Sequence, residues 1–343
     1  MSNIKRIGFA CKFSELDSKG QVASVPELNT KTTTVAWLNR QSKAVAEQRL
    51  WDIMVHNIES ARRLIERIGE ENDHRRMVRL SSDLLPVYTE SSWCYFWQLS
   101  DVRQYAEKHF ADVGRLARNR DVRLSFHPGG FTVLASDSPD IVNKSIEEFE
   151  YHVNMARWMG YGMQFQDLKL NVHVSGRRGA QGMREMWGRL SPEARNMITL
   201  ENDEISHGLD VCLELADLAP TVLDIHHHFV KTGEYIQSTD PRITQIVDSW
   251  RGVRPVVHFS VTREDVLPDH CPNTLPCHAT LTGRGINKQK LRAHSNYMWN
   301  NTVNNWAYTH WQWADLMVES KAKNLASFPL ADMYKNLDSK NSA

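Results

Sequence analysis

Metal-type side chains in this chain fall at the ends of short apolar runs. Arg123-Leu124-Ser125-Phe126 runs into His127, and Leu170-Asn171-Val172 into His173. Met197-Ile198-Thr199-Leu200 runs into Glu201, and Thr221-Val222-Leu223 into Asp224, with His227 three residues on. Pro255-Val256-Val257 runs into His258, and Asp315-Leu316-Met317-Val318 into Glu319. A β/α barrel distributes functional side chains in this way, because its active site is built at the C-terminal ends of its strands. The pattern predicts an α/β chain: a single (β/α)8 TIM barrel with a metal site at the C-terminal face.

The remaining periodicity fits. Strands are expected over 5–10, 77–80, 122–126, 169–173, 197–201, 221–225, 255–258 and 315–319. Between them lie helical stretches over 35–68 (closed by Gly69), 101–119 (capped by Ser100), 139–158 (opened by Pro139) and about 241–250. Another helix is expected to begin Lys321-Ala322-Lys323, and the tail from Asp338 to fray. The 343 residues are read as one barrel domain, 1–343. An insertion-like loop segment rich in Pro, Gly, His and Lys, about 260–293, interrupts the alternation.

Composition removes several function classes. The 41 basic residues balance 41 acidic ones, so net charge does not suggest a protein that coats nucleic acid. No apolar run is long enough to span a bilayer, and the N-terminal residues lack a secretory apolar region. Five scattered cysteines do not make a disulfide framework, which leads us to expect a cytoplasmic location. Basic stretches at Arg75, Arg76 and Arg79 and at Arg115, Arg118, Arg120 and Arg123 read as solvated surface.

Zn and Mn both accept imidazole nitrogen and carboxylate oxygen, and a cluster of cations gives converging histidines and acids the partners they would otherwise lack. Asp224 and His227 are close enough in sequence to turn toward one site. His56, His74, His109 and His152 lie on helical stretches and read as ordinary core or surface residues. His270-Cys271 and Cys277-His278 imitate a separate zinc site, but their spacing is not that of a common finger. No Gly-Xaa-Ser-Xaa-Gly elbow is present.

Several strings now occur in order: Arg79-Leu80-Ser81-Ser82-Asp83-Leu84-Leu85-Pro86, Ser125-Phe126-His127-Pro128-Gly129, Glu201-Asn202-Asp203-Glu204, Asp224-Ile225-His226-His227-His228 and His258-Phe259-Ser260. His294-Ser295-Asn296-Tyr297 and Glu319-Ser320-Lys321-Ala322-Lys323 follow, and Gly8 and its neighbours match an opening strand. Over roughly residues 4–325 the chain resembles the UV damage endonucleases, the UvdE-type DNA repair enzymes, which are similar in fold to endonuclease IV. The resemblance implies a metal-dependent enzyme that nicks damaged double-stranded DNA immediately 5′ of a photoproduct or abasic site. It implies two or three divalent ions, Mn2+ and/or Zn2+, held by His127, His173, Glu201, Asp224, His227, His258, His294 and Glu319. Glu201 would be the bridging carboxylate, and Glu201, His258 and Asp224 the catalytic core. No membrane and no obligate protein partner are expected.

Departures accompany the likeness. A histidine that the family usually has shortly after Ser81-Ser82-Asp83 aligns with Glu90, which is expected to serve as a metal ligand instead. A Gln and an aromatic residue that probe the damaged strand align with Gly130 and Phe131. A first-strand tyrosine aligns with Phe9, and a lysine two residues before the seventh-strand histidine aligns with Val256. Phe131 could still wedge or stack; Trp93, Tyr95, Phe96 and Trp97 are further wedge candidates, or core. Arg284, Lys288, Lys290 and Arg292 could hold phosphates, so with Gly130 and Phe131 they form the expected DNA-binding set. Two other readings compete: a metal-dependent sugar isomerase or epimerase on a related barrel, and a lesion-binding protein with weakened catalysis.

Overall fold

The computed structural model describes residues 4–341. Eight short strands supply the barrel: β1 (Ile7–Ala10), β2 (Met77–Arg79), β3 (Arg123–Phe126), β4 (Lys169–His173), β5 (Ile198–Glu201), β6 (Thr221–Val222), β7 (Val256–Phe259) and β8 (Asp315–Val318). All pair in parallel, in the order β6-β5-β4-β3-β2-β1-β8-β7. The sheet closes between β6 and β7 through a parallel bridge, Asp224 to His258, with the His258 N–H donating to the Leu223 carbonyl at 3.0 Å. This is the (β/α)8 TIM barrel that the strand-end pattern predicts. A small antiparallel hairpin, Ser14–Leu16 with Val22–Ser24, follows β1.

Most elements form where the periodicity places them. The corrections have local causes. The stretch 35–68 is two helices, Val35–Leu38 and Lys43–Gly69, because Thr34 and Ser42 each cap a new start with their hydroxyls. Gly69 is the last helical residue rather than the stop, and Ser100 is the first helical residue rather than the cap. β6 is two residues long, since Asp224 turns its carboxylate to the His227 N–H at 2.7 Å and starts the helix Ile225–Thr232. His226, His227 and His228 are therefore helical. The last helix is Asn324–Asn341, so Asp338–Asn341 are ordered; Ser342 and Ala343 lie outside the described residues.

The segment after β7 contains a 3-10 turn (Glu264–Val266) and two short helices (His278–Gly283 and Lys288–Leu291). Leu267, Leu281 and Leu291 bury against Phe229 and Val230 of the helix Ile225–Thr232, which pins this segment over the C-terminal face. Trp93, Phe96 and Trp97 are buried in the core beside that face, so the wedge reading of this aromatic cluster is withdrawn. Phe9 likewise packs edge-on against Phe13 and Phe328.

Candidate metal centre

Alternation along the strands decides which side chains enter the barrel. Lys169, Asn171 and His173 share one face of β4, Thr199 and Glu201 one face of β5, and Asp315 and Met317 one face of β8. At the floor of the barrel the buried Asp315 accepts from Arg123 at 2.7 Å and from Arg254 at 2.8 Å. One layer up, Thr199 donates to Asn171 at 2.9 Å, and the Asn171 amide donates to Glu201. The polar interior thus runs upward into the strand ends.

Glu201 is the hub. Its Oε1 lies 2.9 Å from Nδ1 of His258 and 3.6 Å from Nδ1 of His227. Its Oε2 lies 3.2 Å from Nε2 of His127 and 3.8 Å from Nε2 of His173. Asp224 Oδ2 stands 3.5 Å from His227. Glu319, just past β8, reaches His258 at 3.3 Å and His294 at 3.9 Å, and Arg79 pairs with it at 2.5 Å. The eight residues His127, His173, Glu201, Asp224, His227, His258, His294 and Glu319 therefore form one connected set. Within it, His127, His173 and Glu201 place one donor atom each within 4.8 Å of one another, as do Glu201, Asp224 and His258.

Electrostatics follow from this crowding. Burial alone would raise the Glu201 carboxyl, but His258 and His173 hold it well below the usual range. Burial likewise opposes ionisation of Glu319, and Arg79 and His258 override it. Burial pushes Asp224 well above its ordinary value despite His227. Burial lowers His258 to about 4, against the pull of Glu201, and also lowers His127 and His294. For His227 burial is outweighed by Asp224, Glu201 and Glu204, which raise it to about 9.

The donor set fits divalent cations. Oδ2 of the fully buried Asp224 makes no hydrogen bond. A buried unsatisfied polar atom costs about 1–3 kcal/mol, which coordination would offset. Imidazole nitrogens and carboxylate oxygens without thiolate suit Zn or Mn.

Glu90 stands apart from this set. Its carboxylate accepts from the Ser92 N–H at 2.9 Å and lines a groove of about 1130 Å3 beside Phe131. The structure does not bring Glu90 into the connected set of eight. Gly130 lines a second cavity, of about 350 Å3, beside His173 and His227, with open space where a side chain would be. Phe131 is 70 % exposed at the rim. Arg284, Lys288 and Lys290 are on the outer surface, whereas Arg292 turns into the smaller cavity. The Cys271–His278 stretch forms no ligand group among the described residues: His270 bonds the Thr274 carbonyl and His278 the Val230 carbonyl.

Four contributors escaped the sequence reading. Arg79 is no solvated arginine but the partner of Glu319. Asn202 grips Asp224 reciprocally, accepting from its N–H at 2.8 Å and donating to its carbonyl at 3.0 Å. Glu204 faces His227 at 3.6 Å. Lys169, only 2 % exposed, crosses the barrel to Nε2 of His258 at 2.9 Å, and burial lowers its amine to about 7. Where the resemblance expects a lysine, Val256 is packed in the core, and Lys169 meets the same histidine from β4. Its signal was available: Lys169 is four residues before His173 on a strand, hence on the same face.

Residues 5–342 match the family model described as UV-endonuclease UvdE. A UV-damage endonuclease of Schizosaccharomyces pombe is 26% identical, the alignment covering 96% of this chain and 51% of that protein, so the chain spans about half of that relative's length. A UV DNA damage endonuclease of Bacillus cereus is also 26% identical, covering 88% of each chain. Among solved structures, SacUVDE superposes with a TM-score of 0.71 at 19% identity, over 97% of this chain and 99% of that one. Endonuclease IV from Thermus thermophilus gives 0.51 at 12% identity, over 81% and 94%. These two likenesses are of fold. With the match running almost end to end, the chain belongs to the UV-endonuclease UvdE family, a family of DNA repair endonucleases and hence of phosphodiester hydrolases.

Proposed function

We propose that the chain, acting as one barrel unit, is a metal-dependent DNA repair endonuclease. It nicks the backbone immediately 5′ of UV photoproducts or abasic sites, leaving a 3′-hydroxyl and a 5′-phosphate. Its substrate is damaged double-stranded DNA, and it works without an obligate protein partner. The observation that carries this reading is Glu201, whose two oxygens face different ligand pairs: His258 and His227 on one side, His127 and His173 on the other. A carboxylate so placed can be shared by two cations.

Mn or Zn ions held by the eight-residue set would supply Lewis acidity toward phosphate oxygens and water, the chemistry that phosphodiester hydrolysis needs. The chain's own residues do the rest. Asn171 fixes Oε2 of Glu201, Asn202 fixes the backbone of Asp224, and Arg79 holds Glu319. Such partners orient ligands before cations arrive. Phe131, exposed at the rim, can stack on a displaced base.

The test is nicking of UV-irradiated and of depurinated supercoiled plasmid with Mn added, with end-labelling to place the cut. Single breaks directly 5′ of the lesion are expected. Metal-loaded protein that binds lesion DNA without cutting it, or that instead epimerises a ketose, would overturn the reading.

A further inference from the structure

The cavity of about 350 Å3 beside His173 and His227 is lined by two acids, Asp203 and Glu204, and by Arg292. Glu204 is buried, and its two oxygens do different things. Oε1 accepts from Nη1 of Arg292 at 2.8 Å, while Oε2 faces Nε2 of His227 at 3.6 Å. The Arg292 side chain is 41 % exposed, and Glu204 is the one hydrogen-bond partner of its guanidinium among the described residues. Its Nε and Nη2 make no hydrogen bond among the described residues, and the residue lines the cavity.

The arginine is also held from behind. Asn287 caps the turn Lys288–Leu291, accepting from the Lys290 N–H at 2.9 Å. Leu291 is fully buried, and its carbonyl accepts from Thr262 at 3.0 Å. On the other side Arg263 donates its N–H to the Ala293 carbonyl at 3.0 Å, and His294 bridges to Thr262. Both backbone neighbours are thus fixed, and the guanidinium is fixed at its tip by Glu204. A planar fork with two spare donors, aimed into a polar cavity, matches the oxygens of a phosphodiester. Lys288 and Lys290 share the segment but are exposed and do not line the cavity.

Resting on the endonuclease reading, we propose that Arg292 anchors a phosphodiester of the strand being cut against the His173–His227 side of the ligand cluster, and that Glu204 is the positioning residue that aims it. One carboxylate then ties the substrate-holding arm to a ligand histidine.

The experiment uses the full chain and an abasic-site duplex. Binding of the metal-loaded protein is followed by fluorescence anisotropy at several salt concentrations on a duplex made uncuttable by a phosphorothioate at the scissile position, and single-turnover nicking of the unmodified duplex is measured with Mn. Arg292→Ala should weaken binding by about tenfold to a hundredfold, and should reduce the slope of log affinity against log salt by about 1. Arg292→Lys should recover the slope but not the rate, because a point charge lacks the fork. Added guanidinium should partly rescue Arg292→Ala. Glu204→Gln should leave affinity near wild type and slow cutting by about tenfold, since a loosened arm binds without aiming. If Arg292→Ala does not fold, as judged by its melting curve, Arg292→Lys and Arg292→Gln carry the test. Arg292→Ala with wild-type affinity and salt slope overturns the assignment, as does Glu204→Gln with an unchanged rate. Wild-type protein that binds but does not cut removes the endonuclease reading, while anisotropy still decides Arg292. Wild-type protein that does not bind overturns both.

Discussion

Nζ of Lys169 lies 2.9 Å from Nε2 of His258, on the opposite wall of the barrel and 89 residues away in sequence. The other ring nitrogen of His258 faces Glu201 and Glu319. The lysine thus fixes the rotation of a ring that the carboxylates address from above. Lys169→Met keeps the volume and removes the contact. Cation affinity, measured against a competing chelator, should fall by about tenfold to a hundredfold, as for other residues that orient ligands. Unchanged affinity would make Lys169 a passenger.

Glu201 is predicted to be indispensable. Protein purified without chelator should carry about two to three transition-metal ions per chain, as a clustered hydrolytic site requires. Exhaustive chelation should abolish nicking, and added Mn should restore it. Glu201→Gln should lose both the ions and all detectable nicking while keeping the wild-type circular dichroism spectrum. Elemental analysis and the plasmid assay decide together; a Glu201→Gln protein that still nicks would remove the shared-carboxylate mechanism.

Phe131 stands 70 % exposed beside Gly130, which offers no probing side chain. Stacking tolerates any base. Discrimination should then follow how easily the duplex deforms. Abasic sites and 6-4 photoproducts should be cut faster than cyclobutane dimers, and Phe131→Ala should slow all three. Duplexes with one defined lesion, competed in a single reaction and resolved on a gel, give the ranking. A preference for the cyclobutane dimer would assign recognition elsewhere.

Acid stability should depend on His310, remote from the metal centre. Burial lowers it to about 4, although its contact with the Ile236 carbonyl favours the charged ring. The unfolded chain takes up this proton near its ordinary value of 6.5, the folded chain only near 4. Between those values the unfolded state binds more protons, so stability falls as pH falls, by on the order of 3 kcal/mol for this group. Urea midpoints at about pH 7 and about pH 4.5 should therefore differ less in His310→Gln than in wild type.

What the sequence made legible was whatever repeats with a local period. The strand ends carry His127, His173, Glu201, Asp224, His258 and Glu319 in plain view, because each closes an apolar run of its own. Lys169 and Arg79 were hidden for the opposite reason. Their meaning lies in His258 and Glu319, 89 and 240 residues away, and Arg79 sits in a stretch that looks like solvated surface. The helix boundary at Ser42 was missed because apolar spacing bridges a break that only the capping hydroxyl marks. Glu90 shows that an aligned position does not fix where a carboxylate points: here one oxygen folds back on the Ser92 N–H.

The seam between β6 and β7 has a consequence for how the protein is assembled. β6 offers only two residues of strand, and the seam is completed by the amide of His258 and the bridge to Asp224. The clasp of the barrel and two of its candidate cation ligands are therefore the same residues. Any fluctuation that unzips the wall there also scatters the ligands, and any ion that gathers them must lock the wall. Loading with metal should make the His258 amide one of the slowest-exchanging protons in the chain, since whatever binds only the closed form stabilises it by mass action. Filling the site and finishing the fold should then behave as one equilibrium, with the exchange of that amide as its readout.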